Sequence, residues 1–359
     1  FTAGIILQEV GGNISGISIN YNNFYNNELY AIDANDDDAF GDGTWDSGII
    51  DATYNWWGSE EPNFGDLVSG GIAYSPWLEN QAGTDPMNFA VDDIGPEPSA
   101  GYVQTAVNAA GSGDTVKVKN GTYSEDLAIS KNNLTLVGED KDSVVFDVSD
   151  VEGLPFDHHA GVYITGDNVD FKEVSVYGGE GNSTIEKGLK IDGAKNTTIE
   201  GVSIKNLDYS GWISGDVGID IYAATNVSLS NVTVENNAGA GIYMKSIDNG
   251  VFSDITTSNN AWGGIGIGEN VEIQPTTDIT FSGTNQFMEP GSEAHTPAVW
   301  TDGDLSYSVD PEEDADITFS NEINWFLGGN LDKDYNQDYF YNTRSNTESA
   351  AEAALDGTG

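Results

Sequence analysis

Between residues 161 and 267 a four-residue pattern, Gly followed by an apolar, a variable and an apolar residue, occurs five times. Successive glycines are separated by 27, 30, 23 and 23 residues. Units this short hold too little apolar sequence to fold alone, whereas stacking each unit on the next buries a continuous core. The pattern therefore predicts a parallel β-solenoid. Its copies begin at Gly161, Gly188, Gly218, Gly241 and Gly264.

Each unit also predicts the roles of its residues. Alternate side chains of a strand point to the same side, so the apolar positions of the pattern should form inward stacks. The Gly suits a corner that needs a positive φ or a close backbone approach. An Asn follows seven or eight residues after each of the first four glycines, where its amide can bond to the turns above and below. We expect these Asn side chains, Asn196 and Asn226 included, to point inward. The predicted inward stacks are Val162, Ile164, Leu189, Ile191, Ile219 and Ile221.

Composition limits the possible partners and surroundings. The chain of 359 residues has a formal net charge of −47, and no Lys or Arg precedes Lys117. A surface this acidic disfavours nucleic acid as a partner. It favours a salty or calcium-rich medium, where cations screen the repulsion between carboxylates. The chain has no Cys and no apolar run long enough to span a membrane, and we expect an extracellular, cell-surface location.

The pattern divides the chain into segments. Residues 1–78 are predicted to be the closing turns and cap of a first coil, and residues 79–98 a Pro-rich, acidic linker. Residues 99–286 should form a second coil that begins with a short capping helix from Gly101 to Ala110. Residues 287–346 lose the pattern and form an acidic, aromatic closing or contact region. Residues 347–359 resemble the start of another capping helix, so we expect an internal segment of a longer tandem array.

Two passages resemble a known family. The helix before Gly113-Asp114-Thr-Val, Gly121-Thr-Tyr123, Glu125, Lys131 and Leu134-Thr-Leu-Val-Gly138 resembles the opening of pectin-lyase-like β-helix domains. The passage Asn55-Trp-Trp-Gly58 resembles the closing segment of such domains in large archaeal and bacterial surface proteins of the S-layer, sheath or adhesin kind. The resemblance covers most of residues 1–286. It implies an all-β fold, a right-handed parallel β-helix of three sheets with a capping helix and two coil segments in tandem.

The family includes enzymes, so we looked for catalytic groups. A lyase of the pectate kind needs an Arg or Lys base beside a calcium, yet the only Arg is Arg344, outside the coil. Lys190, Lys205 and Lys245 are expected to solubilise outward positions of strands. The best catalytic candidates are Asp157, His158 and Tyr163, a carboxylate, an imidazole and a phenol that could do acid and base work. The run Asp157-His158-His159 resembles the Asp-Pro-His element of alginate epimerases, except that His159 stands where Pro would precede the His. Because a His pair in a loop is more often a solvated turn, we predict no catalytic site.

Other candidate sites are less specific. Asp33, Asn35, Asp37 and Asp42 place oxygen ligands at calcium-loop spacing but form no complete EF-hand loop, and residues 332–338 repeat that spacing. Calcium is the only cofactor that the sequence suggests. The sequons that best suit glycosylation are Asn182, Asn120, Asn231 and Asn13.

Aromatic residues suggest two roles. Trp56, Trp57 and Trp77 are predicted to cover an open end of the first coil, which an exposed solenoid end requires. Trp212 and Trp262 lie in loops between turns and are the better candidates for contact with a glycan. In the tail, aromatic side chains are predicted to contact the next copy or to plug the end of their own coil. These tail residues are Tyr335, Tyr339, Phe340 and Tyr341.

Two functions remain open from the sequence. The first is a non-catalytic structural or adhesive surface protein, in which tandem coils form a filament, sheath or layer from copies of the chain and contact surface glycans. The second is a polysaccharide-modifying enzyme, a lyase or an epimerase, or a carbohydrate-binding module on the same fold. A groove on the outer face of residues 160–270 in which acids converge with a base would favour the enzyme.

Overall fold

The computed structural model shows an all-β chain with very little helix, wound into a β-solenoid of about eight turns. This architecture confirms the predicted fold class. Among the described residues no helix is long and apolar enough to cross a membrane. The structure describes residues 4–7, 16–26, 30–34, 49–69, 71–92, 102–151, 160–179, 185–207, 217–261, 263–268, 273, 276–283, 286–288, 299–301, 318–319 and 324–325.

The first part of the chain forms short strands around a small core. Strands β1, β2 and β4 make one parallel sheet, and β3 pairs with β5 in another. Trp57 and Trp77 are buried in this core. Tyr54 and Trp56 instead pack against the larger core that follows, so these aromatics lie where the two cores adjoin. The elements are β1 Ile5–Ile6, β2 Ile32–Asp33, β3 Ile50–Asp51, α1 Phe64–Leu67, β4 Val68–Ser69, β5 Ile72–Ala73 and β6 Trp77–Leu78.

The segment predicted to be a linker contains a core strand. Strand β7, Asn88–Val91, pairs antiparallel with β6 and parallel with β8, Thr115–Val118. Phe89 at its centre is fully buried. Pro86, Pro96 and Pro98 indicate a linker, but β7 itself contains no Pro, and Phe89, Ala90 and Val91 are buried in a strand that is paired on both sides. The two coils therefore share one sheet.

A capping helix covers the start of the second coil, as predicted. Helix α2, Tyr102–Ala109, buries Val103, Ala106 and Val107. The carboxylate of Glu125 accepts hydrogen bonds from the backbone N–H groups of Val103 and Gln104, each at 2.9 Å. At the other end, Lys131 Nζ donates to the backbone oxygens of Asn108 and Ala110. Glu125 and Lys131 thus satisfy helix-terminal groups that would otherwise lack partners.

The second coil consists of parallel strands in two sheets. In the seven-stranded sheet, the first six strands follow the order β10-β13-β15-β17-β19-β21. The larger sheet contains β8, β11, β14, β16, β18, β20 and β22. The ranges are β9 Gly121–Tyr123, β10 Leu127–Ile129, β11 Thr135–Gly138, β12 Val144–Asp147, β13 Ala160–Ile164, β14 Asp170–Tyr177, β15 Lys187–Asp192, β16 Lys195–Lys205, β17 Val217–Tyr222, β18 Thr225–Glu235, β19 Ile242–Lys245, β20 Asp248–Ser258, β21 Ile265–Gly268 and β22 Thr277–Ser282.

Long bent strands join two predicted faces of the coil. Strands β14, β16, β18 and β20 each contain a residue with positive φ at which the direction changes. Glu173 has φ +52° and Gly201 has φ +62°. Asn231 and Asp254 continue this column with φ of +52° and +54°. A residue with left-handed backbone conformation turns the strand without ending its hydrogen bonding to the neighbouring strands. Two of the three predicted sheets are therefore continuous here.

The inward stacks are formed as predicted. Residues 189–191 pair in parallel with residues 219–221, which excludes the antiparallel alternative. All six side chains named for these stacks are fully buried. Because each sheet position repeats in register, apolar side chains of one turn lie above those of the next along the interior of the coil.

The recurring glycines are needed for close approach. A Cβ at Gly218 would lie 2.6 Å from the backbone oxygen of Gly241, and one at Gly241 would lie 2.6 Å from that of Gly264. Gly188 has the same relation to Gly218, at 2.8 Å. These glycines therefore form a column in which each would collide with the next if it carried a side chain.

The recurring Asn residues form an external ladder. Asn168, Asn196, Asn226 and Asn249 each donate from Nδ2 to Oδ1 of the Asn one turn earlier, at 2.7 to 2.9 Å. All four have positive φ. They are exposed, so the expectation that Asn196 and Asn226 point inward is wrong. A left-handed corner turns the side chain away from the core, where it can bond along the stack.

The coil extends beyond the predicted limit of residue 286. Ile265 pairs in parallel with Val299, and Phe281 with Phe319. Phe287 pairs with Trp325. Paired positions are 34 and 38 residues apart here (Ile265 to Val299, and Phe281 to Phe319), against 23 to 30 for the repeated glycines, so the pattern is lost while the strands still continue both sheets. These strands are β23 Gln286–Met288, β24 Val299–Thr301, β25 Thr318–Phe319 and β26 Asn324–Trp325.

Candidate functional site

The outer face of the seven-stranded sheet carries a column of polar side chains. Tyr163 of β13 pairs in register with Lys190 of β15, Lys190 with Asp220 of β17, and Asp220 with Tyr243 of β19. Their neighbours in sequence are fully buried aliphatic residues, so alternation along each strand turns these four outward. The same repeat that builds the core thus aligns polar groups outside it.

Lys190 is the centre of this cluster. Its Nζ lies 3.8 Å from Asp192 Oδ2 and 3.9 Å from Asp220 Oδ2. The ammonium also lies 6.0 Å from the centroid of the Tyr222 ring. The hydroxyl of Tyr163 donates to Asp192 Oδ2 at 3.1 Å. The cluster therefore joins a cation, two carboxylates and a phenol on neighbouring turns.

Burial sets these groups apart from ordinary surface charges. The Lys190 side chain is 6% exposed, and those of Asp192 and Asp220 are 23% and 13% exposed. Lys187, at the start of the same strand, is also buried. The expectation that Lys190 merely solubilises an outward position is therefore wrong. Charges held away from water interact more strongly, and such a cluster could serve either proton transfer or structural cohesion.

The catalytic candidates from the sequence are placed only in part. Tyr163 lies in the cluster, whereas Asp157 and His158 lie outside the described residues. Lys205 and Lys245 are half-buried, and Lys205 belongs to the larger sheet. Sequence reasoning missed Asp192 and Asp220. Asp220 follows Lys190 by 30 residues, which is the spacing of Gly188 and Gly218, and Asp192 follows Lys190 by two, so the repeat could have placed both on the face of Lys190.

The predicted metal site is placed at a single residue. Asp33 ends β2, and its Oδ1 accepts a hydrogen bond from the hydroxyl of Ser69. Asn35, Asp37 and Asp42 lie outside the described residues, as do residues 332–338. Within the described part of the chain no three acidic or His side chains converge as a metal site would require. Calcium binding stays a prediction.

The remaining candidate residues are divided in the same way. Asn120 and Asn231 are exposed, as glycosylation acceptors must be, while Asn13 and Asn182 lie outside the described residues. Asn231 also forms part of a bend in β18. Trp212, Trp262 and the tail aromatics Tyr335, Tyr339, Phe340 and Tyr341 lie outside the described residues, so the predicted contacts stay predictions.

A second charged cluster joins the two coils. Lys119 Nζ contacts the carboxylates of Glu61 and Glu139, and its side chain is 9% exposed. Burial lowers the pKa of Lys119, but the hydrogen bonds that its ammonium donates to both carboxylates outweigh this effect, so its pKa is raised. Lys117 Nζ lies 2.7 Å from Glu79 Oε2, whose side chain is 2% exposed. Sequence reasoning missed these pairs because nothing local connects residues so far apart in the chain.

Comparison with known proteins identifies the coil. A family model described as right handed beta helix region matches residues 106–285, which is half of the chain. The match confirms the predicted right-handed winding of the second coil. Among curated proteins, none matches the chain in sequence.

Three solved structures to which this chain is similar are an exopolygalacturonase, a mannuronan epimerase and an alginate lyase. The Family 28 exopolygalacturonase of Yersinia enterocolitica is 13% identical, with a TM-score of 0.45, over 67% of this chain and 56% of that one. The A-module of a mannuronan C-5 epimerase of Azotobacter vinelandii is 19% identical, with a TM-score of 0.38, over 56% and 58%. An alginate lyase of Paenibacillus sp. str. FPU-7 is 15% identical, with a TM-score of 0.39, over 67% and 97%. At these identities the similarity concerns the fold.

Proposed function

The chain belongs to the right-handed β-helix family, and on this premise we propose that it is a non-catalytic structural or adhesive segment of an extracellular surface protein. Stacked turns supply length and stiffness, because each turn is held by its neighbours along the whole coil. The Asn ladder and the inward stacks add bonds and packing in that same direction.

The observation that best supports this proposal is the mutual engagement of the outer-face charges. A lyase or epimerase needs a base and an acid that are open to a sugar ring. Lys190 lies instead between Asp192 and Asp220 with 6% of its side chain exposed. Tyr163 is hydrogen-bonded to the same Asp192. Groups that satisfy one another in this way hold neighbouring turns together.

The proposal includes assembly at the cell surface. A net charge of −47 keeps copies apart unless salt or calcium screens it, which suits a saline or calcium-rich exterior. Contacts between copies are assigned to the tail aromatics, of which Tyr339, Phe340 and Tyr341 are consecutive. A head-to-tail contact of this type propagates into a filament or layer unless rotation closes it into a ring.

Electron microscopy of the intact protein tests this assembly. We expect filaments or layers in high salt with calcium, and dispersed particles in low salt. Replacing Tyr339, Phe340 and Tyr341 together by Ala should leave dispersed particles under both conditions, whereas Tyr21→Ala, which removes an exposed tyrosine far from the tail, should not. Dispersed monomers from the unaltered protein in high salt with calcium would contradict the proposal.

The second candidate function is a polysaccharide-modifying enzyme, either a lyase or an epimerase. The specific observation in its favour is that Tyr163, Lys190 and Asp220 lie in register on one outer face. A phenol and an ammonium beside carboxylates can remove and return a proton next to a uronate carboxyl group.

Turnover assays separate the two functions. Purified protein would be incubated with polygalacturonate and with alginate, and unsaturated products, reducing ends and epimer content would be measured. We expect no turnover. Turnover that is lost in Lys190→Gln and Tyr163→Phe, but kept in Lys205→Gln, would establish the enzyme and overturn the first proposal. Loss on replacing Asp157 and His158 would locate the catalytic groups in that loop instead.

A further inference from the structure

A cavity of about 300 Å³ opens beside the junction of the two coils. One wall is the segment that contains Phe24 and Tyr25, and the other is the loop from Trp57 to the short helix α1. This volume is at the lower end of the range for small-molecule sites. Among its lining residues is Trp57, which the sequence predicted to cover an open end of the first coil.

Phe24 and Trp57, which line the cavity, belong to an aromatic cluster. The ring of Phe24 stacks on that of Trp57 with centroids 5.1 Å apart, and Trp57 meets Phe64 edge-on at 5.7 Å. Trp57 is buried, whereas Tyr25 is 59% exposed and tilts against Trp56 with ring centroids at 6.0 Å. An aromatic face is therefore held in place by packing while part of it stays open to solvent.

Gly58 brings the two walls together. It has φ +87°, and a Cβ at this position would lie 3.1 Å from the backbone oxygen of Phe24 and 3.3 Å from Tyr25 Cβ. Only Gly combines that backbone conformation with so close an approach. The separation between Tyr25 and the loop is thus set by the backbone.

The rim of the cavity is polar and acidic. Asn63 Nδ2 donates to Asp66 Oδ2 at 2.7 Å, and the backbone N–H of Glu61 donates to Ser59 Oγ at 3.1 Å. Lys119 holds the carboxylate of Glu61 from the second coil. The bonds from Asn63 and Lys119 hold the carboxylates of Asp66 and Glu61, whose other oxygens can accept hydrogen bonds from a ligand. No Lys or Arg occurs in the chain before residue 117, so the walls themselves carry no cation, and Lys119 at the rim is paired with Glu61 and Glu139.

We propose that this cavity binds a neutral sugar residue of a glycan. The flat carbon face of a pyranose packs on an exposed aromatic ring, and its hydroxyl groups donate to carboxylate and amide oxygens at the rim. The rim repels uronates and sulfated sugars, because it is acidic and because the neighbouring Lys119 is already paired with Glu61 and Glu139. The inference goes beyond the proposed function, since a protein that never assembles could still bind the sugar at Tyr25.

Saturation-transfer NMR on the intact protein tests the proposal. The probes are D-glucose, D-galactose, D-mannose, N-acetyl-D-glucosamine and sodium D-galacturonate. We expect saturation transfer to at least one neutral sugar and none to galacturonate. Tyr25→Ala and Asp66→Asn should each weaken binding by at least about tenfold, which corresponds to loss of one good contact. Both residues are exposed, so Asp66→Asn in particular should preserve the fold.

Tyr21→Ala is the matched control. Tyr21 is 47% exposed and stacks on Tyr54 with ring centroids at 5.2 Å, but it does not line the cavity. Binding should be unchanged in this variant, and far-UV circular dichroism would verify the fold of all three. Three results would overturn the proposal: no transfer to any neutral sugar, binding of galacturonate alone, or binding that survives both Tyr25→Ala and Asp66→Asn. Equal loss in Tyr21→Ala would also overturn it, because the site would then lie elsewhere.

Discussion

The side-chain amide of Asn196 donates a hydrogen bond to the side-chain oxygen of Asn168, 2.8 Å away on the preceding turn. Both residues have left-handed backbone conformations, with φ of +55° and +58°. Asn is the residue that tolerates this conformation and also carries both a donor and an acceptor. One residue type therefore turns the corner and joins the turns, and the ladder runs in one direction from Asn249 towards Ser112.

Substitutions at Asn196 separate these two contributions. Asn196→Gly removes the ladder bonds but keeps the left-handed corner, and should lower the free energy of unfolding by about 1 kcal/mol. Asn196→Ala also strains the corner and should lower it by about 2 kcal/mol. Urea unfolding followed by circular dichroism would measure both. Equal losses for Gly and Ala would contradict the assigned role of the backbone.

The glycine column predicts a steric effect at Gly218. A Cβ there would lie 2.2 Å from Val234 Cγ1 and 2.6 Å from the backbone oxygen of Gly241. Gly218→Ala should therefore lower the free energy of unfolding by about 3 kcal/mol through overpacking. Gly193→Ala is the control, because Gly193 has φ +66° and a Cβ added there would have no other atom within 4 Å. That variant should lose only about 1 kcal/mol, and an equal loss at both sites would count against the column.

Glu125 predicts a pH effect at the capping helix. Burial raises the pKa of Glu125, although hydrogen bonds from the backbone of Gln104 and Val103 act in the opposite direction. A pKa that is higher in the folded than in the unfolded protein means that folding favours the protonated carboxyl, so this contribution to stability grows as pH falls. The free energy of unfolding of the wild type should rise relative to Glu125→Gln between neutral pH and the ordinary Glu value of 4.5. Parallel curves for the two proteins would show that Glu125 does not titrate in this range.

Glu139 predicts the opposite pH effect at the junction of the coils. Burial raises the pKa of its carboxyl, but hydrogen bonds from Lys119 and from the backbone of Asn120 outweigh this and lower the pKa overall. A lowered pKa contributes stability above the unfolded value, and this contribution is lost as pH falls below about 4.5 through the folded value. The advantage of the wild type over Glu139→Gln should therefore shrink in acid. An advantage that persists to the acid limit would be inconsistent with the ion pair.

Cations should stabilise the whole protein. The net charge of −47 produces a repulsion between carboxylates. Salt at 0.1 M largely screens this repulsion beyond a Debye length of about 10 Å. The midpoint of thermal unfolding should rise from low to high salt. A further rise with micromolar to millimolar calcium at constant ionic strength would support specific ion binding, which Asp33→Asn should reduce if that site holds calcium. A midpoint that is the same in all three media would exclude both effects.

The repeat in the sequence was sufficient to predict the coil. Each unit is short, and only stacking can bury its apolar residues, so the pattern from Gly161 to Ile267 determines parallel pairing and the inward stacks. The capping helix was predictable for a similar reason, because Val103, Ala106 and Val107 have helical spacing. These features depend on residues close together in the chain.

Only the tertiary structure decided which groups meet across turns. The sequence predicted an outward lysine at position 190, but its burial between Asp192 and Asp220 depends on the register between neighbouring strands. The pairing of Lys119 with Glu61 and the cavity between Tyr25 and the loop after Trp57 likewise join residues that no local pattern connects. Local spacing specifies which way a side chain points, whereas its partners and its exposure follow from how distant turns pack.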